Sequence, residues 1–173
     1  AEADWVVEAI VERLEPKREL LARVEKTVGP GTVVTSNTSG LPLASLAEGR
    51  SEVFRRRFRG THFFNPPRYL KLVELIPTAD TDPEVLEGMR AFVERVLGKG
   101  AVVAKDTPNF IANRVGIAGM LGTMREVEKF GLTFDVVDDL TGRKLGRASS
   151  GTFRTADVVG LDTMAHVIKT LQD

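Results

Sequence analysis

Short apolar runs alternate with helical patterns over residues 1–105. Runs rich in β-branched and aromatic residues predict five strands, at residues 6–10, 32–35, 58–64, 69–76 and 101–104. Between the strands, apolar residues recur at helical spacing and predict helices at residues 15–28, 41–47 and 81–97. Such alternation favours a mainly parallel sheet with helices on its faces.

Local signals bound several of these elements. Thr81 and Glu84 form the pattern of a capping box, so we expect Thr81 to cap the third helix. The loop after the second helix contains Arg55, Arg56 and Arg57, which we expect to be solvated. The first strand begins with almost no lead-in, which predicts that the chain starts inside a domain.

The pattern changes after Lys105 and becomes entirely helical. Thr107 and Pro108 suit the cap and first position of a long helix that lasts to about Lys129. Shorter helical segments follow at residues 133–140, 155–159 and 162–171, with a loop rich in glycine, arginine and serine after the first of them. We therefore predict an α/β part at residues 1–105 and an all-α part at residues 106–173.

Composition narrows the function classes. The 173 residues hold 24 Lys and Arg against 24 Asp and Glu, and this balance argues against nucleic acid or an anionic membrane as partner. There is no cysteine and only two histidines, so neither a disulfide framework nor a metal site is predicted. The apolar runs are too short to span a bilayer, and we expect a soluble, cytoplasmic protein.

One stretch carries the clearest candidate chemistry. His62 ends the third strand, Glu74 lies within the fourth, and Arg68 lies midway between them beside two prolines. If the two strands pair in antiparallel fashion around Arg68, the two side chains face each other with Cβ atoms roughly 5 Å apart. The alternative for His62 is a core residue with a satisfied hydrogen bond. Burying Glu74 without a partner would cost free energy, however, so a contact between His62 and Glu74 would explain why each of them occurs in an apolar strand.

Other candidates lie where strands end, the edge at which α/β sheets bind ligands. Residues 36–40, with sequence SNTSG, form either a plain connector or a hydroxyl-rich ligand loop. Glu12 and Lys17 flank the first turn from strand to helix and are surface charges by default. Asn113, on the same helical face as Asn109, either faces solvent, makes a hydrogen bond between elements or contacts a ligand.

Six stretches together resemble the 3-hydroxyacyl-CoA dehydrogenases of fatty-acid β-oxidation. In chain order they are VVEAIVE at residues 6–12, SNTS at 36–39, GTHFFNP at 60–66, KLVE at 71–74, KDTP at 105–108 with FIANR at 110–114, and DVVGLD at 157–162. They cover nearly the whole chain. The resemblance implies a partial Rossmann-like domain, the second half of an NAD-binding domain, followed by the start of a helical domain for substrate binding and dimerisation.

The resemblance also implies roles for individual residues. His62 would be the general base for the substrate hydroxyl, with Glu74 orienting it. Ser39 and Asn113 would contact the acyl-CoA substrate near the reacting group. The residues that match the NAD site of the family are Glu12, Lys17, Ser39 and Asn65.

The departures from the family pattern are informative. No Gly-x-Gly-x-x-Gly is present, and in the family that fingerprint precedes the position where this chain starts. Asn109 replaces a glycine, and residues 142–154 look more like long bacterial proteins that fuse this dehydrogenase to an enoyl-CoA hydratase module.

Three alternatives to a 3-hydroxyacyl-CoA dehydrogenase are a non-catalytic structural relative, a truncated folding unit and a dehydrogenase of a small 3-hydroxy acid.

Overall fold

A computed structural model of the protein describes residues 2–169, except for the side chains of Thr163 and His166. The chain divides into two compact units, Ala1–Phe110 and Ile111–Asp173. This division falls somewhat later than the predicted one between residues 105 and 106. None of the described helices is long and apolar enough to cross a membrane.

The first unit alternates strands and helices. Its elements are β1 (Trp5–Glu8), α1 (Leu14–Thr27), β2 (Val33–Ser36), α2 (Leu43–Ala47), α3 (Glu52–Arg57), β3 (Phe58–Phe63), β4 (Leu72–Pro77), α4 (Pro83–Arg95) and β5 (Gly100–Val103). The five predicted strands are confirmed to within a few residues. Helix α3, however, was predicted as a loop; it contains the three arginines and is capped by Ser51, whose side chain accepts from the amide of Phe54.

The five strands form one sheet in the order β1-β2-β3-β4-β5. β1 pairs with β2, β2 with β3 and β4 with β5 in parallel, whereas β3 and β4 are antiparallel. The prediction of a mainly parallel, Rossmann-like sheet followed by helices is confirmed. The antiparallel pair is the one predicted around Arg68.

Each face of the sheet has its own core. One core contains apolar side chains of α1, α2 and α3 against the sheet, among them Leu21, Leu43 and Phe54. The other contains Val73 and Leu75 of β4 with Met89 and Val93 of α4. Burial of these side chains, at about 25 cal/mol per Å² of apolar surface, is the main force that holds the sheet between its helices.

Two predicted helix starts are wrong in detail. Asp82, not Thr81, caps α4 by accepting a hydrogen bond from the amide of Glu84. Thr81 instead donates to the carbonyl of Phe58 at 2.8 Å. Thr107 and Pro108 do not open the long helix either, because the backbone of Asn109 and Phe110 turns to φ 61° and 47° and no α-helix can continue through that conformation.

The second unit is helical as predicted. It consists of α5 (Ala112–Phe130), α6 (Phe134–Thr141), a short 3-10 helix (Arg143–Leu145), α7 (Phe153–Val159) and α8 (Leu161–Lys169). The Asp138 carboxylate of α6 accepts hydrogen bonds from the amides of Phe153 and Arg154 and so fixes the start of α7. The predicted continuation of the last helix to residue 171 lies outside the described residues.

Candidate active site

His62 and Glu74 are direct cross-strand partners in the antiparallel pair of β3 and β4. The Nδ1 atom of His62 lies 2.7 Å from Oε2 of Glu74. Both residues are buried, with 3% and 1% of their surface exposed. An ionised carboxylate has no hydrogen to give, so Nδ1 donates and Nε2 is left as an acceptor.

Ser39 supplies a hydroxyl to that free nitrogen. Its Oγ lies 3.1 Å from Nε2 of His62, on the opposite side of the ring from Glu74. Ser39 belongs to the loop after β2, and the parallel pairing of β2 with β3 brings this loop to the end of the strand that carries His62. The loop therefore lies beside the His62–Glu74 pair, as the ligand-loop alternative requires.

The three side chains form a hydrogen-bonded line from hydroxyl to imidazole to carboxylate. A hydroxyl at Nε2 has a base within reach, and the carboxylate at Nδ1 stabilises the imidazolium that forms when the base takes a proton. Aromatic rings border the imidazole: the ring of Phe64 lies 4.4 Å and that of Phe110 lies 5.5 Å from it, centroid to centroid. This arrangement can accept a proton from an alcohol in an environment with little water.

The end of β2 and the loop after it are bonded to two other strands, β1 and β3. The side-chain oxygen of Asn37 accepts a hydrogen bond from the backbone amide of Phe63, which links the loop to β3. The backbone amide of Asn37 donates to the carbonyl oxygen of Glu8, which links the loop to β1. The hydroxyl of Ser36 donates to Glu8. These bonds set the height of the loop above the sheet edge.

Glu12 and Lys17 lie directly beside this loop. Glu12 accepts hydrogen bonds from the hydroxyl of Thr38 and from the amides of Ser39 and Gly40. The ammonium group of Lys17, 1% exposed, contacts Glu12 at 3.3 Å and Glu8 at 2.8 Å. They are buried or half-buried members of a charged cluster and not the surface charges that are the default at such a turn.

The fixed position of α2 also depends on a carboxylate. Asp106, after β5, accepts hydrogen bonds from the amides of Leu43 and Ala44 at 2.9 Å each. A negative charge at the start of a helix satisfies its free amides and interacts favourably with its dipole. The Asp-Thr-Pro sequence predicted the start of the long helix, but its aspartate instead binds the first amides of α2.

Two further residues, Asn65 and Asn113, were predicted to belong to the site. Asn65 is exposed in the turn after β3, where its peptide bond to Pro66 is cis. Asn113 is half-buried in the first turn of α5, in the second unit. Their contacts with substrate or cofactor stay predictions.

Sequence reasoning missed Glu8 and Asp106. Glu8 stands within the apolar sequence WVVEAI, just as Glu74 stands within KLVELI. A carboxylate in a buried strand needs a partner, and this signal, applied to Glu8, would have pointed to Lys17. Asp106 gave no such signal, because its sequence context is equally good for a helix start.

Both units match domains of known proteins. Residues 1–107 match the family profile described as 3-hydroxyacyl-CoA dehydrogenase, NAD binding domain, and residues 110–173 match the C-terminal domain of the same enzyme. A probable 3-hydroxyacyl-CoA dehydrogenase of Bacillus subtilis is 55% identical over 172 residues, which cover 99% of this chain and 22% of the relative. A protein of the same name from Deinococcus radiodurans is 55% identical over 166 residues, covering 96% of this chain and 48% of the relative.

A solved structure agrees with these matches. The (S)-3-hydroxybutyryl-CoA dehydrogenase PaaH1 from Ralstonia eutropha superposes with a TM-score of 0.85 at 30% identity, covering 97% of this chain and 58% of that one. The chain thus spans about half the length, or less, of the curated relatives that it matches.

Proposed function

Since the chain belongs to the 3-hydroxyacyl-CoA dehydrogenase family, we propose that the protein that carries it oxidises (3S)-3-hydroxyacyl-CoA to 3-ketoacyl-CoA with NAD. The observation that carries this proposal is the line of contacts from Ser39 Oγ through His62 to Glu74. It supports the family assignment because alcohol oxidation needs a base at the hydroxyl, and His62 presents an acceptor nitrogen to a hydroxyl.

The proton chemistry follows from the two sides of the imidazole ring. The hydrogen of the substrate hydroxyl passes to Nε2 of His62 as the carbon–oxygen bond becomes a double bond. The imidazolium that results is balanced by Glu74 at Nδ1, 2.7 Å away. In the reverse direction the same nitrogen returns the proton to the ketone oxygen. Ser39 holds the hydroxyl oxygen beside His62, and Asn113 is the proposed contact of the thioester carbonyl.

NAD, when bound, supplies the acceptor for the hydride that leaves carbon 3 of the substrate. The carboxyl ends of β1, β2 and β3 bring the loops with Glu12, Ser39 and Asn65 to one edge of the sheet, where α/β folds bind such ligands. Hydroxyl and amide groups at this edge fit the polar nicotinamide and ribose. We propose Glu12, Lys17, Ser39 and Asn65 as the residues of this chain at the cofactor site, Lys17 acting through its contact with Glu12.

The substrate class can be tested by turnover in the full-length protein. We expect NADH to form with (3S)-3-hydroxybutyryl-CoA and not with free 3-hydroxybutyrate, because the family acts on CoA esters. Turnover of the free acid alone would favour a dehydrogenase of small 3-hydroxy acids. Lack of turnover with both would favour the non-catalytic alternative.

We further propose a cytoplasmic β-oxidation enzyme that forms a homodimer through its helical domain. The second unit exposes large apolar side chains such as Phe130, Phe134 and Leu161, which a partner subunit would cover. The parent is either a single-function enzyme or one fused to an enoyl-CoA hydratase module. Light scattering gives the subunit count, and the intact mass decides between the two parents.

A further inference from the structure

Glu12 holds the loop that carries Ser39 through one carboxylate oxygen. Its Oε1 accepts from the amide of Ser39 at 2.8 Å, from the amide of Gly40 at 3.0 Å and from the hydroxyl of Thr38. The three donors belong to consecutive residues, so the carboxylate fixes the backbone on both sides of the Ser39 side chain. A shift of Glu12 therefore moves Ser39 Oγ relative to His62 Nε2, which is 3.1 Å away.

A buried ammonium group fixes Glu12 from the other side. Lys17 Nζ lies 3.3 Å from Oε2 of Glu12, 2.8 Å from Oε1 of Glu8 and 3.1 Å from the carbonyl oxygen of Ile10. The three hydrogens of the ammonium group go to Oε1 and Oε2 of Glu8, the latter at 3.0 Å, and to the Ile10 carbonyl, so Lys17 contacts Glu12 as an ion pair. Lys17 therefore reaches the site through Glu12.

The charge of Glu12 is essential to this arrangement. Burial alone would raise the pKa of Glu12, but hydrogen bonds from Thr38, Gly40 and Ser39 and the charge of Lys17 outweigh it and lower the pKa below its ordinary value of 4.5. The carboxylate is ionised at neutral pH, and only the ionised form is an acceptor without a hydrogen of its own. A neutral side chain of the same shape would bind the loop more weakly and would not attract Lys17.

We propose that Glu12 is a positioning residue for the reaction, setting the separation of Ser39 Oγ and His62 Nε2, and that Lys17 keeps Glu12 in place. This role rests on the proposed dehydrogenase function and adds to it a cause for the geometry of the site. If Glu12 has this role, its replacement lowers the rate of the chemical step, which is measured as kcat. A role confined to cofactor contact would instead appear in the affinity for NAD.

Kinetics of Glu12→Gln in the full-length protein separate these two roles. We expect kcat to fall about tenfold or more, because small displacements of a catalytic group are costly, while the Kd for NAD changes less than about threefold. Glu12→Asp keeps the charge beside Lys17 but shortens the reach, so it should lose kcat without losing thermal stability. A raised Kd for NAD with unchanged kcat in both variants would overturn the proposal.

Glu25→Gln is the matched control. Glu25 also accepts a hydrogen bond from a loop amide, that of Ser51 at 2.8 Å, and also pairs with a cation, Arg50 at 3.2 Å. It holds the loop before α3, and among residues 2–169 its side chain bonds to Arg50 and Ser51 and not to the loop that carries Ser39. We expect Glu25→Gln to retain the kcat of the original protein; an equal loss of kcat in both variants would show a general loosening of the fold and overturn the proposal.

A double-mutant cycle tests whether Glu12 acts through Ser39. If it does, Glu12→Gln should add less than about twofold to the loss caused by Ser39→Ala, because coupled residues are not additive. Losses that multiply would mean that the two residues act independently, which contradicts the positioning role.

A readout that does not require turnover distinguishes failure of this proposal from failure of the dehydrogenase function. The ¹⁵N chemical shifts of the His62 ring report the hydrogen bond at Nε2, and His62→Gln assigns the signals. We expect Glu12→Gln and Ser39→Ala to move the Nε2 signal in the same direction and Glu25→Gln to leave it in place. An unmoved signal in Glu12→Gln, or in Ser39→Ala itself, overturns the proposal, whereas absent turnover in the original protein refutes only the dehydrogenase function.

Discussion

His62 and Glu74 lie opposite each other across the antiparallel pair of β3 and β4, with Nδ1 of the histidine 2.7 Å from Oε2 of the glutamate. The pairing register places them there, and a shift by one residue would point one of them at the opposite face. The hairpin therefore fixes which carboxylate meets the imidazole. The pair also satisfies two polar side chains that would each be costly to bury alone.

Replacing Glu74 by glutamine should reduce turnover with little effect on the fold. The amide can still accept from Nδ1, but it carries no charge to balance the imidazolium. We expect kcat to fall about 100-fold, within the range for loss of acid–base assistance, and KM for the acyl-CoA to stay nearly constant. Steady-state kinetics check this, with the exposed Glu87→Gln as control; a loss below about threefold would contradict the role of Glu74.

Adding a methyl group at Gly60 should destabilise the first unit. A Cβ there would lie 2.8 Å from Leu43 Cδ1 and 3.0 Å from Ile76 Cδ1, inside the core between the sheet and helices α1, α2 and α3. We expect Gly60→Ala to lower the free energy of unfolding by about 1–3 kcal/mol, as overpacking does. Gly88→Ala in α4, which meets nothing within 4 Å, should raise it by up to about 1 kcal/mol. Urea unfolding compares them, and equal effects would refute the close packing at Gly60.

At position 109, glycine should destabilise the fold less than alanine does, in line with the glycine that the family pattern has there. Its φ of 61° is in the left-handed region, where a Cβ is costly for residues other than glycine and asparagine. Both substitutions remove the same amide, so their difference isolates the backbone. We expect Asn109→Gly to be more stable than Asn109→Ala by about 1 kcal/mol in thermal unfolding. The reverse order would mean that the left-handed turn is absent.

Arg59 should be replaceable by methionine with a gain in stability. It has no exposed surface, and its guanidinium nitrogens have no hydrogen-bond partner among residues 2–169. Burial and the charge of Arg57, opposed by Asp82, lower the pKa of Arg59 to about 10, so it stays charged at neutral pH. Since a buried charge without partners is costly, Arg59→Met should raise the free energy of unfolding by roughly 1–3 kcal/mol. A decrease in urea unfolding would show that groups outside the described residues bind the guanidinium.

The sequence was sufficient to predict contacts that depend on local signals. The midpoint at Arg68 and the prolines beside it predicted which residues of β3 and β4 would face each other, because a hairpin has only one such centre. The small polar side chains of residues 36–40 were equally compatible with a plain connector and with a ligand loop. The family resemblance then identified Ser39 as the residue of that loop to examine.

Contacts between distant segments could not be predicted in this way. Glu12 meets Ser39 across 27 positions, and Asp106 meets Leu43 across 63, and neither separation leaves a periodic trace. At Asn109 the local signals were misleading, because a threonine and a proline suit a helix start equally well when the following backbone turns left-handed. Arg55 to Arg57 were predicted as a loop for their charge, although arginine is a good helix former.

The central claim, that His62 is the base, is tested most directly by His62→Gln in the full-length protein. Turnover of (3S)-3-hydroxybutyryl-CoA and binding of NADH are measured together, with Thr61→Val as control, since Thr61 lies next to His62 in β3 and bonds to Thr35 instead of the site. We predict that His62→Gln lowers kcat about 10²–10⁴-fold while the Kd for NADH stays unchanged. Turnover that survives within about tenfold at unchanged NADH binding would contradict the assignment.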